Sequence, residues 1–229
     1  MAAGSGSRMG GETPKQFLEV GGKTILRRTI EAFAEAVPGI TVITVLPEDY
    51  MGFWKNSCYN GNFVYPQILV KGGITRFHSV RNALEKVPDG ALVAIHDGVR
   101  PLAGRAFLRE MFEKAQEHPG LIPVIPCVDT MTALKKKVWD DGSETFVRLP
   151  QVTVDRSVLY AAQTPQIFHS ELLKSAYNQA FQTSFTDDAS VVEAYGKNLS
   201  FVKGERLNIK ITTPEDLILA EAILKVQEG

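Results

Sequence analysis

The chain has few cysteines, almost no net charge and no long apolar run. Its two cysteines, Cys58 and Cys127, lack metal-ligand spacing and fall far short of a disulfide framework. A metal-stapled or disulfide-stapled fold is therefore excluded, and a reduced, cytoplasmic protein is expected. Basic residues number 25 against 26 acidic, a formal net charge of -1, so broad affinity for nucleic acid or anionic membrane is excluded. Any cationic patch has to be local. No stretch approaches the ~20 apolar residues of a spanning helix, and no signal-peptide pattern is read at the start. Internal repeats and low-complexity segments are also missing, as is any Ser–His or Cys–His arrangement for nucleophilic catalysis.

What is present is a hydrophobic content of 44% in 229 residues, enough for one domain over 1–229 with a substantial core. Apolar β-branched runs at 40–46, 67–70, 91–96, 121–126 and 199–202 read as strands. Helical spacing of apolar residues fills 24–37, 75–87, 104–118 and 170–181, and a shorter helical stretch covers 189–194. A last helix starts at Thr213-Pro214-Glu215-Asp216, with Thr213 as N-cap, Pro214 in the first turn and Asp216 completing a capping box. This alternation predicts an α/β fold with a mostly parallel sheet and helices on both faces. The interval 129–155 differs. Runs at 131–138 and 145–149 flank Asp140-Asp141-Gly142-Ser143 and predict a β-hairpin, which is marginal alone and needs something to pack on, such as another subunit.

The most informative segment is Ala2-Ala3-Gly4-Ser5-Gly6-Ser7-Arg8-Met9-Gly10, followed by Pro14-Lys15-Gln16-Phe17. Small residues and spaced glycines let backbone N–H groups approach an anion, and Arg8 and Lys15 add a planar fork and a point charge that suit a polyphosphate. A flexible Gly/Ser stretch with two solvated cations is the plainer alternative. Two familiar phosphate loops do not fit. Position 9 is Met where a dinucleotide fingerprint needs Gly, and position 17 is Phe where the P-loop ending Gly22-Lys23-Thr24 needs its first Gly. A Gly-rich loop in such a fold normally follows a buried apolar strand, yet only Met1 precedes Ala2. Either the numbered chain begins late, at an internal Met, which is the reading favoured here, or the sheet lacks a central strand.

Ligands of open α/β sheets bind at the carboxyl ends of the strands, where His96-Asp97-Gly98-Val99-Arg100-Pro101 and Lys71-Gly72-Gly73 fall. Asp97 at a strand end can hold Mg²⁺, directly or through water, beside a triphosphate. It can equally serve as a structural cap, with Arg100 as its partner. His96 reads as a packed strand-end residue. Paired glycines before Thr75-Arg76-Phe77-His78-Ser79 permit close approach to a flat base, with Ser79 offering a small polar group, although Gly is common in such turns. Arg156 at the hairpin base is either a phosphate clamp or a solvated charge. Thr186-Asp187-Asp188 reads first as helix capping. In Asn208-Ile209-Lys210-Ile211, Lys210 points away from its apolar neighbours, where it can meet an anion.

Taken in order, these pieces form a specific series: the Gly-rich loop, Pro14-Lys15-Gln16, Gly72-Gly73-x-x-Arg76-x-x-Ser79, His96-Asp97-x-x-Arg100-Pro101, Asp129-Thr130, Thr153-x-Asp155-Arg156, Thr164-Pro165-Gln166, Thr186-Asp187-Asp188 and Asn208-Ile209-Lys210. From residue 2 to the C-terminus the chain closely resembles the 2-C-methyl-D-erythritol 4-phosphate cytidylyltransferase family of the non-mevalonate isoprenoid pathway. The resemblance implies a Rossmann-like nucleotidyltransferase sheet with a protruding β-arm over 129–156 that makes a homodimer. It also implies transfer of a cytidylyl group from CTP to methylerythritol phosphate with Mg²⁺, releasing pyrophosphate. By the same resemblance Ala2, Ala3, Gly4 and Gly6 surround the nucleotide, Arg8 and Lys15 stabilise charge at the α-phosphate, and Gly73, Arg76 and Ser79 line the cytidine pocket. Asp97, Arg100, Thr164, Thr186 and Lys210 form the sugar-phosphate site, Lys210 also counting as catalytic, while Thr130 and Arg156 reach from the arm into the partner's site. Two positions depart from the family pattern. Ile74 stands where a polar or acidic residue is frequent, and Gly98 replaces Ala, leaving room for substrate. A cytidylyltransferase for another polyol phosphate, such as ribitol 5-phosphate, is the nearest alternative. A glycosyltransferase would need an Asp-x-Asp motif that Asp97-Gly98-Val99 does not supply.

Overall fold

The computed structural model describes residues 1–4, 13–150 and 152–228, so the loop positions Gly6 and Arg8 lie outside the described residues. A small antiparallel pair, β1 (Glu19–Val20) and β2 (Lys23–Thr24), leads into α1 (Ile25–Ala36). Thr24 caps that helix by accepting from the Arg27 N–H. Then follow β3 (Val42–Leu46), α2 (Glu48–Asn60), β4 (Gln67–Lys71), α3 (Arg76–Leu84), β5 (Leu92–Ile95), α4 (Arg105–Ala115) and β6 (Gly120–Pro126). A hairpin of β7 (Leu134–Val138) and β8 (Glu144–Arg148) comes next, before β9 (Tyr160–Ala162) and β10 (Gln166–His169). The chain ends with α5 (Ser170–Tyr177), α6 (Asp188–Ala194), β11 (Ser200–Lys203) and α7 (Pro214–Glu228).

The main sheet has the order β11-β6-β10-β5, with β9 also on β6, while β3 and β4 form a parallel pair of their own. β11 runs parallel to β6, but β10 lies antiparallel between β5 and β6. The sheet is therefore mixed. The antiparallel member was missed in the sequence because Gln166-Ile167-Phe168-His169 is short and follows a Pro turn that reads as a loop. Helix α2 was missed for a different reason: among its residues only Trp54 is buried, so its sequence carries little amphipathic signal.

Successive residues of the central strands point to opposite faces, and this alternation places helices on both sides. Ile122 and Phe168 pack with Phe77 and Val80 of α3, Leu173 and Tyr177 of α5, and Val191 and Val192 of α6. Their neighbours Leu121 and Ile167 face the other way, against Phe33 of α1 and Phe107, Leu108 and Met111 of α4. At the C-terminal helix Asp216 accepts from the Thr212 and Thr213 N–H groups, the acidic half of the expected capping box.

The first two residues lie between the ends of β3 and β5 and are bonded to both. The Met1 amine donates to His96 O (2.6 Å), Gly98 N–H to Met1 O (2.8 Å) and Ala2 N–H to Val45 O (2.9 Å). The two bonds of Met1 to the β5 end have the donor–acceptor pattern of a parallel pair, and Ala2 adds a single bond to β3. They also carry the chain out at the carboxyl ends of β3 and β5, beside Asp97 and Gly72.

Phe168 is fully buried at the centre of one face. Phe168→Ala is expected to lower unfolding free energy by about 3–5 kcal/mol. Urea titration of both proteins followed by circular dichroism checks this.

Candidate active site

Missing side chains in the turns after β4 and β5 let the N-terminal segment lie against both strand ends. A Cβ on Gly72 would lie 2.6 Å from the Ala3 Cβ, so only glycine lets the N-terminal segment pass there. At Gly98 a Cβ would fall 3.0 Å from Ala2 Cβ and 3.1 Å from a Leu26 methyl. The room beside Gly98 is thus taken by Ala2 and Leu26. This corrects the expectation that it is left for substrate.

Ala2 is buried, and both its backbone groups are bonded within the protein: the N–H to Val45 and the carbonyl by the Gln16 Nε2 (2.8 Å). Ala2 therefore anchors the segment, while Ala3 is half-buried and Gly4 exposed. The Pro14-Lys15-Gln16-Phe17 motif divides its labour. Gln16 and Phe17 are buried, Phe17 among Tyr50, Phe53 and Trp54, and they hold a single turn of 3₁₀ helix over Lys15–Phe17. Lys15 itself stays half-buried at the start of that turn. The bond from Gln16 to Ala2 ties the exit of the Gly-rich loop to its entry.

At the end of β5 sits Asp97, nearly buried, with three cations converging on its carboxylate. Lys210 Nζ is 2.9 Å away, Arg100 Nε 3.4 Å and Arg76 Nη2 4.0 Å. Burial opposes ionisation of Asp97, but Lys210, Arg76 and Arg100 outweigh it and hold the carboxyl well below the usual carboxylate range. Arg76 forks onto the fully buried Asp188 with two bonds of 2.6 Å, and the Tyr177 hydroxyl donates to the same carboxylate. Three cations against two carboxylates leave a local surplus of one positive charge. It faces outward, because Lys210 keeps 42% and Arg76 33% of its side chain exposed.

Loop contacts hold this cluster in place. Thr164 Oγ1 accepts from the Asp97 N–H (3.0 Å), Asn208 Nδ2 donates to Thr164 O, and Asn208 O accepts from Arg100 Nη1 (2.8 Å). Gln163 donates to the carbonyls of Glu205 and Asn208 and accepts from the Glu205 N–H. His96 is buried against Phe33 and bonded to Arg100 O; burial pushes it down to about 4, so it is neutral near pH 7 and packed, as read from its position.

The Gly72-Gly73 turn is closed by Ser79, whose hydroxyl accepts from the Gly73 N–H (2.9 Å) and donates to Thr75 O (3.0 Å). Ser79 is buried, and its two bonds shape the turn. Ile74 beside it is 96% exposed. Thr186 is exposed at the entry to α6, where Asp187 and Ser190 form a capping box. Thr130 and Arg156 lie on the exposed arm; Arg156 donates to Val128 O, and neither has a bond to the Asp97 cluster.

Sequence reasoning missed Asp188, Tyr177, Gln163 and Asn208 as the frame of the site. Asp188 read as a cap because Asp and a helix start coincide there, and nothing local shows that its side chain turns inward. Among the described residues no group of three or more His, Cys, Asp or Glu could hold a metal ion. Asp97, already engaged by three cations, is a poor ligand for a resident ion. It suits a cation that arrives with phosphate oxygens of its own.

A mixed, helix-covered sheet that gathers cations and glycine turns at its strand ends is the framework of a nucleotidyltransferase. The family model for 2-C-methyl-D-erythritol 4-phosphate cytidylyltransferase matches residues 1–226. A relative of that name from Phocaeicola vulgatus is 46% identical over 98% of this chain and 97% of its own length. Among solved structures, a 4-diphosphocytidyl-2C-methyl-D-erythritol synthase from Anaerococcus prevotii superposes with a TM-score of 0.75 at 28% identity, covering 98% of this chain and 93% of the other. The 2-C-methyl-D-erythritol 4-phosphate cytidylyltransferase from Thermus thermophilus gives 0.72 at 32% identity over 93% and 94%. The chain belongs to the 2-C-methyl-D-erythritol 4-phosphate cytidylyltransferase family.

Because the native Asp97 titrates below its unfolded value of ~3.9, it stabilises the fold above that pH, and the contribution fades as pH falls towards the native value. Asp97→Asn leaves three cations facing one another and is expected to cost about 3 kcal/mol at pH 7. Urea unfolding at pH 7 and pH 3 should show the gap between the two proteins narrowing in acid.

Proposed function

We propose that this chain transfers a cytidylyl group from CTP to 2-C-methyl-D-erythritol 4-phosphate, releasing pyrophosphate. The observation that carries the reading is the cationic cluster of Arg76, Arg100 and Lys210 around Asp97, in a chain of this family.

The acceptor phosphate is already ionised near neutral pH, so no general base is required. The barrier lies in bringing one anion against another. An acceptor phosphate oxygen forms a bond to the α-phosphorus while the bond from that phosphorus to the bridging oxygen breaks, and pyrophosphate leaves with the electron pair. Catalysis of such a step is positioning plus charge stabilisation at five-coordinate phosphorus. Lys15, and Arg8 outside the described residues, are assigned to the α-phosphate, with Ala3, Gly4 and Gly6 around the triphosphate and Ala2 anchoring them. Gly73, Arg76 and Ser79 are assigned to the cytidine side, with Ile74 leaving contacts there to backbone. Asp97, Arg100, Thr164, Thr186 and Lys210 are assigned to the acceptor. Mg²⁺ belongs with the substrate complex, shielding triphosphate charge, with Asp97 as the carboxylate nearest to hand. Two half-buried free cysteines suit a cytoplasmic enzyme.

Thr130 and Arg156 are assigned to the site of a second subunit. The arm supports this: every residue of β7 and β8 is exposed, and Leu134, Val138, Trp139, Phe146 and Val147 form apolar surface that a lone two-stranded ribbon does not bury. The reading is therefore a homodimer joined through 129–156. Sedimentation should give twice the 25.2 kDa chain mass, and Phe146→Glu should shift it towards the monomer.

Pyrophosphate release with CTP, Mg²⁺ and methylerythritol phosphate, and none with ribitol 5-phosphate, tests the reaction. Lys15→Ala is expected to lower kcat by ~10²–10³ or more with an unchanged thermal midpoint, the scale seen for a lost preorganised donor. Retained kcat would refute the role of Lys15.

A further inference from the structure

Asp188 opens α6, yet it does not cap the helix. Its neighbour Asp187 accepts from the Ser190 N–H and forms the capping box, so the helix start is already served. One side chain from β10 holds the backbone on either side of Asp188. Gln166 Nε2 donates to Asp187 Oδ2 (2.8 Å), and Gln166 Oε1 accepts from the Ala189 N–H (2.9 Å). Between those two bonds Asp188 points inward, fully buried, with its carboxylate free for other partners.

Those partners are Arg76 and Tyr177. The guanidinium donates from Nη1 to Oδ1 and from Nη2 to Oδ2, and the Tyr177 hydroxyl adds a further donor on Oδ1 (2.5 Å). A carboxylate out of water loses stability for each acceptor position left unfilled. Without Tyr177, Arg76 alone would have to satisfy it. Burial and the neighbouring Asp188 push the Tyr177 hydroxyl far above its ordinary value, so near neutral pH it stays a donor. The same residue steadies the backbone that bears Arg76. Its ring, 1% exposed, stacks on Phe77 with centroids 4.8 Å apart and planes 21° from parallel. Phe77 directly follows Arg76 in α3, so one side chain of α5 holds both the backbone and the head of this arginine.

Asp188 engages one N–H on each terminal nitrogen of Arg76, which leaves further N–H groups on a side chain that is 33% exposed. Nη2 lies 2.6 Å from Asp188 but 4.0 Å from Asp97, beyond hydrogen-bond range. The guanidinium is thus kept on the Asp188 side, short of closing on Asp97. Closure would give donors to a second carboxylate and leave fewer for an anion or a base edge.

We infer that Tyr177 is a positioning residue for nucleotide binding, which acts through Asp188 to hold the Arg76 guanidinium in the plane that CTP meets. The inference rests on the reading of Arg76 as a residue of the cytidine side. Loss of the hydroxyl leaves Asp188 a donor short and lets its carboxylate turn, so the fork above it loses its fixed plane. That lost preorganisation falls on nucleotide affinity and leaves charge stabilisation at the reacting phosphorus as it was.

Tyr177→Phe deletes the hydroxyl and keeps the ring on Phe77. It is expected to raise KM for CTP about tenfold, with kcat within about twofold of the parent enzyme. Val192→Ala, which opens a cavity in the same buried cluster, is the stability control. It is expected to lower the thermal midpoint at least as far while KM for CTP stays unchanged. Arg76→Lys keeps a cation beside Asp188, removes the planar fork and is expected to raise KM for CTP itself. Added to Arg76→Lys, Tyr177→Phe should change KM less than about twofold, since the group it positions is gone. An unchanged KM in Tyr177→Phe beside a raised KM in Arg76→Lys would overturn the inference alone. So would an equal rise in Val192→Ala, or effects of Tyr177→Phe and Arg76→Lys that simply multiply. An unchanged KM in Arg76→Lys would instead remove the assignment of Arg76, and this inference with it.

Discussion

The geometry of the site depends on Asp97, a carboxylate held ionised out of water by three cations. Arg76, Arg100 and Lys210 come from three separate parts of the chain, and like charges at these separations repel one another strongly in a poorly hydrated setting. Asp97 is what lets them share one place. The arrangement remains incompletely neutralised even with Asp188, and that residual positive charge is the property an anionic substrate uses. A site with one more carboxylate would be more stable alone and less able to gather phosphates.

Around that charge cluster the protein spends its neutral polar groups on position. Gln16 holds the entry and exit of the Gly-rich loop together through Ala2 O. Thr164, Asn208 and Gln163 hold the segment bearing Lys210 against the end of β5. Asp188 and Tyr177 fix the guanidinium plane of Arg76. Each of these groups is buried, and the bonds of Thr164, Asn208, Gln163 and Asp188 reach partners distant in sequence, so their orientation is inherited from packing of the fold. The glycines at 72 and 98 belong to the same scheme. They remove the Cβ atoms that would keep the N-terminal segment away from the strand ends.

The arm shows the same constraint from the opposite side. A ribbon with exposed apolar side chains is a surface that the domain by itself has not covered.

Local order was open to reading in the residues themselves. The helices starting near Thr24, Thr75 and Thr213, the strands ending at Leu46 and before Asp97, and the hairpin turn at Asp140–Ser143 all follow from periodicity, capping and turn chemistry, which act over a few residues. The ordered series of motifs also identified the family. Packing decided the rest: that β10 runs antiparallel, that α2 is a helix around Trp54, that Ala2 is an anchor, and that Asp188 turns inward to hold Arg76. Those outcomes rest on contacts between residues up to 112 positions apart. A linear pattern records which side chains are available, but only the folded chain determines which charges meet and which are left facing solvent.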